Sequence, residues 1–329
     1  MQSSRERVLR AIEMRDPDRI PMWLTFNRDA NNAPISEKVR EKYESDVILA
    51  RCGDPNFVPV GEGYHWLGYK YESFGAAMGE VQRPPLEDWG DFDEWKSKLP
   101  DFTKEICYEK IKRIRRENPD KFMVGGLFLL MEELINLRGY ENYMTDFYDE
   151  EDNLNALIDV LYDIATKMVD GYAEAGFDAV MAWEDWGLQD SPMMSYAMWD
   201  KFFHAKMKAF VDHIHEKGMK YILHSCGHIT YLLDTFEEMG IDALQLDQQK
   251  NMGLDVLKKW KGKFCFCCPV DIQHSLGMAR DEMQAYIKEM NESLGGARGG
   301  FIYKPYEQPA AINMTPSQLE MEVELVSLS

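Results

Sequence analysis

Lys220-Tyr221-Ile222-Leu223-His224-Ser225-Cys226-Gly227-His228 is the stretch from which the rest of the chain is best read. The breaker Gly218 precedes it, and the apolar run Tyr221–Leu223 reads as a buried parallel strand. Side chains two apart on a strand face the same way, so His224 and Cys226 point a nitrogen and a sulfur into one space. Imidazole and thiolate together suit zinc. The competing reading makes His224 a satisfied core histidine and Cys226 a small buried hydrophobe.

Outward from this strand the pattern is regular. Strands are expected at Ala179–Trp183, Tyr221–His224, Ala243–Leu246, Phe264–Cys268 and Gly300–Tyr303. Helices are expected at 154–175, 195–217, 229–239, 253–259, 280–294 and 317–328. Earlier in the chain, Ser3 caps a helix over 3–14, Pro17 and Pro21 end it, and Met22–Phe26 reads as a first strand. A second strand is expected at Phe122–Phe128, after a basic helix near 103–117. Nearly continuous apolar strands alternating with helices mean a parallel sheet covered on both faces. About eight such units in one chain of this length predict a single (β/α)₈ barrel over 1–329. Residues 30–100, rich in Gly, Pro, Asp and Trp, are expected to form an excursion or lid. A doubly wound sheet is the alternative, but no Gly-x-Gly-x-x-Gly follows any strand.

Composition narrows the function. Among 329 residues the net charge is −20, which argues against nucleic acid and anionic membranes as partners. No apolar run is long enough for a membrane span, and the first residues lack the apolar core of a signal peptide. Six cysteines, three of them at 265, 267 and 268, do not form a disulfide framework in so long a chain, so a reducing cytoplasm is expected.

Reactive residues fall at strand ends. Glu184 and Asp185 follow the 179–183 strand, and His224 and Cys226 follow the next. Asp247 comes after Leu246, Cys268 and Asp271 after the cysteine-rich strand, and Glu307 shortly after Tyr303. In a parallel barrel these ends share one face, where such folds keep their sites. Glu184, Asp185, Asp247 and Asp271 are therefore the catalytic candidates, although Asp185 and Asp271 also fit helix-cap or turn roles. His228, at a helix start, is placed to touch an anionic ligand. Alternation separates Cys265 and Cys267 from Cys268, and Cys268, at the strand end, is the one expected near the site. Asp178 and Asp242 precede strands and belong to the opposite, structural rim. His204, His213 and His215 sit on an outer helix.

Several segments together resemble the uroporphyrinogen decarboxylase superfamily. They are Arg5–Ile12 with Pro17-Asp18-Arg19-Ile20-Pro21, Trp183–Gln189 with Ser191-Pro192, His224–Gly227, Gly240-Ile241-Asp242, Pro269–Gln273, and Gly299–Ile302 before Thr315-Pro316. The resemblance spans nearly the whole chain and implies a (β/α)₈ barrel. Its true decarboxylases share an early double-arginine segment; here Met22–Asp29 lacks it, which weakens that activity. The corrinoid-dependent methyltransferase branch, which includes methylcobalamin:coenzyme M methyltransferases and O-demethylation components, is similar at His224 and Cys226. That likeness implies Zn²⁺, a small methyl donor or acceptor, and the corrinoid (methylcobalamin) of a partner protein. Its distant cysteine ligand corresponds to Glu307 when Ile302 and Pro305 are aligned. Glu307 is thus the expected third metal ligand, with Cys268 as the alternative and Glu184 as a possible fourth. Trp183, Trp186, Gln189, His228 and Gln273 are the expected substrate- or cofactor-binding residues. The alternatives are a porphyrinogen-type decarboxylase and a non-catalytic corrinoid- or ligand-binding subunit.

Overall fold

Seven short apolar segments pair in chain order into one parallel sheet: β1 (Val47–Ala50), β2 (Phe122–Gly126), β3 (Ala179–Trp183), β4 (Lys220–His224), β5 (Ala243–Gln245), β6 (Cys265–Cys268) and β7 (Phe301–Tyr303). The computed structural model describes residues 2–24, 37–72, 80–128, 130–296, 298–307 and 309–329. An eighth stave closes the ring. Met22 bridges Tyr303 in parallel, Trp23 N donates to Tyr303 O at 2.8 Å, and Asp46 N donates to Met22 O at 2.7 Å. The expected first strand beyond Leu24 lies outside the described residues, as do 30–36 and 73–79 of the expected excursion.

Strand alternation sorts the core into two layers. Val47, Phe122, Val124, Met181, Ile222, Cys265, Cys267 and Ile302 fill the barrel interior. Val180, Leu223, Leu244, Phe266 and Cys268 pack outward against the helices. The Ser4–Ile12 helix, capped by Ser3, adds Val8, Ala11 and Ile12 to the interior cluster from the strand-start end. Arg7 anchors it there, bound to Asp46 at 2.7 Å and Asp18 at 2.5 Å. Asp178 and Asp242 serve the same rim: Asp178 holds Arg5 and Met123 N, and Asp242 holds His215 and Tyr221 N.

Two expectations change. The stretch 30–100 is not wholly an excursion, because β1 lies within it and pairs with β2. A helix at Tyr140–Asp149 was not anticipated. Among the described residues no helix is long and apolar enough to cross a membrane.

Candidate metal centre at the barrel mouth

β4 delivers the two residues that opened the sequence argument. His224 ends the strand, facing the barrel axis in register with Trp183 on β3 and Gln245 on β5. Cys226 lies two residues on, in a turn that Gly227 completes at φ +74°. The neighbouring loop presses against that turn. A Cβ on Gly227 would lie 2.2 Å from Gly187 O, and one on Gly187 would lie 2.4 Å from His228 N. Only glycine fits at either position. This crossing brings the β3 loop, and with it Asp185, over the end of β4.

Three donors converge there. His224 Nε2 is 3.5 Å from Cys226 Sγ and 3.5 Å from Asp185 Oδ1. The nitrogen, sulfur and oxygen all lie within 4.8 Å of one another. Zinc bonds of roughly 2.0–2.3 Å at a tetrahedral angle separate such donors by about 3.5 Å, so the set fits that ion. The other ring nitrogen is already committed: His224 Nδ1 bonds Gln245 Oε1, and Gln245 Nε2 donates to Asp247 Oδ1 at 2.7 Å. A carboxylate–amide–imidazole chain of this kind fixes the tautomer and leaves Nε2 as the free ligand atom.

The electrostatics follow from that packing. Burial opposes charge on His224, yet Cys226, Asp185 and Asp247 outweigh it and raise its pKa well above the ordinary range. Burial pushes the Cys226 thiol up, partly offset by His224. Burial likewise opposes the Asp185 carboxylate, but His224 and the Cys226 backbone N–H, which donates at 3.0 Å, hold it below the usual carboxylate range. The three residues are also tied to one another by hydrogen bonds.

The remaining candidates divide. Asp247 is buried at the mouth and orients Gln245. Trp183 is half-buried and faces inward, with the Arg51 guanidinium 4.7 Å over its ring. Gln189 and Gln273 meet at the rim through a reciprocal amide pair. His228 is half-buried, with Nδ1 3.3 Å from Thr230 Oγ1 and its backbone N–H given to Leu188 O.

Other expected site residues do not join the three donors. Glu307 does lie at the mouth, near enough to feel the His224 and Arg51 charges, but it is not among the three converging donors and is held by Lys304 Nζ at 2.8 Å. Burial opposes the Glu307 charge, but Lys304 keeps its carboxyl below the usual range. Cys268 faces the helices because β6 is phased with Cys265 and Cys267 inward, so its thiol points away from the three converging donors. Glu184 points outward and accepts the Met131 N–H at 2.9 Å at the start of the Leu130–Arg138 helix. Burial raises its pKa to about 8. Trp186 is a core residue, wedged edge-on between Trp199 and Phe203. Asp271 is fully buried and organises its own loop, accepting from Lys250 N, Gln273 N and His274 Nδ1.

Three residues at the mouth escaped the sequence reading. Gln245 was hidden as an uncharged strand residue, although it ends β5 only two residues before Asp247. Lys304, buried after β7, neighbours Glu307, Asp247 and Cys267. Arg51 follows β1, whose strand was not recognised.

Known proteins bear on this arrangement. A family model described as uroporphyrinogen decarboxylase (URO-D) matches residues 67–305. None of the curated proteins matches. Among solved structures, a methyltransferase from Methanosarcina mazei superposes with a TM-score of 0.72 at 14% identity, covering 100% of this chain and 99% of that one. A Gloeophyllum trabeum endo-β-1,4-xylanase overlaps less, with a TM-score of 0.44 at 9% identity over 68% of this chain and 80% of its own.

Proposed function

The chain belongs to the uroporphyrinogen decarboxylase family, and from that premise we propose that it is a methyltransferase whose barrel mouth holds a zinc ion on Asp185, His224 and Cys226. The methyl group passes between a small methylated molecule, or a thiol or folate acceptor, and the corrinoid of a partner protein. One observation carries the reading. A single imidazole nitrogen faces a thiol and a carboxylate at equal distances of 3.5 Å while its other nitrogen is held by an amide.

When bound, zinc supplies a Lewis acid that lowers an acceptor thiol's pKa or draws charge off a departing heteroatom. The chain's own side chains set the stage. Asp247 and Gln245 keep His224 in one tautomer. Asp185, tied to the Cys226 N–H, holds the cysteine turn in place. The three protein donors leave a fourth position for substrate, as catalytic zinc sites do. Lys304 and Arg51 offset the carboxylates around the mouth, and Trp183 supplies an apolar wall beside it. The third donor in this reading is Asp185, in place of the Glu307 expected from the family pattern.

Metal analysis tests this directly. Purified protein should carry close to one zinc per chain, and the His224→Ala, Cys226→Ser double variant should carry none. Protein free of zinc that consumes uroporphyrinogen would replace the proposal with decarboxylation.

A further inference from the structure

The helix Leu130–Arg138 starts just past the end of β2, where Met131 N donates to Glu184 Oε2 at 2.9 Å. Glu132 lies in its first turn and is half-buried. It is a fourth residue that the sequence reading passed over, and nothing described so far uses it. The three staves involved are neighbours: this helix follows β2, Asp185 follows β3, and His224 ends β4. Glu132 is not among the donors that lie within 4.8 Å of one another, yet the charges of Asp185 and His224 both act on it. An acid outside the ligand set but within its field suits proton exchange with a bound molecule rather than metal ligation.

A polar chain holds the carboxyl in place. Asn136, one turn further along the same helix, donates from Nδ2 to Tyr71 Oη at 2.8 Å. That donation leaves the Tyr71 proton for Glu132 Oε1, 3.5 Å away. Tyr71 belongs to a short hairpin that pairs Tyr71–Glu72 with Glu80–Val81, so an element outside the barrel braces the acid. Burial raises the Glu132 pKa and Asp185 adds to that, against smaller pulls from Tyr71 and His224. A carboxylate of this kind is a stronger base than an exposed one. Glu133, its neighbour, is fully buried beside Tyr69 and Asn136 and is closed to such exchange.

We propose that Glu132, braced by Tyr71 and Asn136, is the proton carrier of the reaction and takes the S–H proton of an acceptor thiol held at the metal centre. This rests on the methyl-transfer reading and adds the destination of its proton. The S–H bond breaks, its electron pair stays on sulfur, and the proton forms an O–H bond on the Glu132 carboxylate. After the methyl group has moved, the sulfur is a thioether, the corrinoid keeps the electron pair of the broken cobalt–carbon bond, and Glu132 gives its proton to water. In demethylation each step reverses.

The probe is 2-mercaptoethanol, added to the whole chain loaded with cobalt(II) in place of zinc and followed by thiolate-to-cobalt absorbance. In wild type the proton stays on Glu132, so affinity should change little between about pH 6.5 and 8, and binding should release little acid. In Glu132→Gln the proton must go to solvent. The variant's affinity should tighten by about ten-fold per pH unit, with about one proton released per thiol bound, while cobalt content and thermal midpoint match wild type. Parallel pH dependence in the two proteins overturns the proposal. So does a variant that loses its cobalt, because the carboxyl would then serve the metal or the fold. Wild type that takes up no cobalt removes the metal reading and this proposal with it. Wild type that holds cobalt and thiol but shows the slope expected of the variant removes this proposal alone.

Discussion

Replacing Gln245 by leucine tests how the barrel prepares its histidine. The side chain is fully buried, accepts from His224 Nδ1 and donates to Asp247 Oδ1 at 2.7 Å. Leucine fills nearly the same volume, so the barrel interior should keep its packing. What disappears is the group that decides which imidazole nitrogen bears the proton. Losing such an outer partner lowers metal affinity by roughly 10- to 100-fold, or about 1.4–2.7 kcal/mol. Asp247 also loses its amide donor, which pushes in the same direction. Zinc affinity measured by competition with a chromophoric chelator should fall within that range. The metal-free thermal midpoint serves as the control for folding. A variant with wild-type zinc affinity would refute the chain Asp247–Gln245–His224 as the device that orients the ligand. So would an affinity loss accompanied by an equal collapse of the metal-free protein.

Two further substitutions probe the crossing loops and a buried acid. Gly227→Ala places a methyl group 2.2 Å from Gly187 O on a residue at φ +74°, so about 1–3 kcal/mol of stability and most zinc binding should be lost together; calorimetry and metal analysis report both, and a fully metallated, wild-type-stable variant would contradict the close approach. Glu322 is fully buried, accepts from Tyr303 Oη at 2.8 Å and Val270 N at 3.0 Å, and burial raises its pKa from 4.5 to about 7. The folded state therefore binds its proton more tightly than the unfolded state. Its contribution is complete below pH 4.5 and is lost as pH rises through 7, with a span on the order of 3 kcal/mol. In Glu322→Gln, denaturant unfolding at pH 5 and pH 8 should show that decline flattened relative to wild type; parallel curves would remove the assignment.

The fold was legible where strands were continuously apolar. Ala179–Trp183 was bounded to the residue, and β4 differed by one. β1, Val47-Ile48-Leu49-Ala50, is just as apolar, but it was missed because it is only four residues long and sits alone in a polar stretch with no strand–helix alternation around it. The Tyr140–Asp149 helix carries mixed aromatic and acidic residues, and only the break at Gly139 marks its start. Within the site, His224 and Cys226 were readable because spacing on one strand fixes their shared direction. The phase of β6 was not, since alternation separates Cys267 from Cys268 without saying which faces inward. That phase is set by register, with Cys267 opposite Gln245 and Gln245 opposite His224. Asp185 lies beyond its strand, where alternation no longer applies. Its placement depends on the Gly187–Gly227 contact between two loops, which no local pattern encodes.

Ring closure at Met22 carries a consequence for how the molecule forms. The stave it supplies touches Tyr303 on one side and Asp46 on the other, so the last contact joins segments from opposite ends of the polypeptide. Until residue 303 has been synthesised, the outer side of the Met22 stave presents bare N–H and C=O groups, and an open sheet edge invites pairing with other chains. Contacts so distant in sequence form slowly. The Arg7 latch to Asp18 and Asp46 can be made early, because its three members lie within the first fifty residues. A nascent chain thus holds its opening stave beside β1 long before the far edge arrives to meet it.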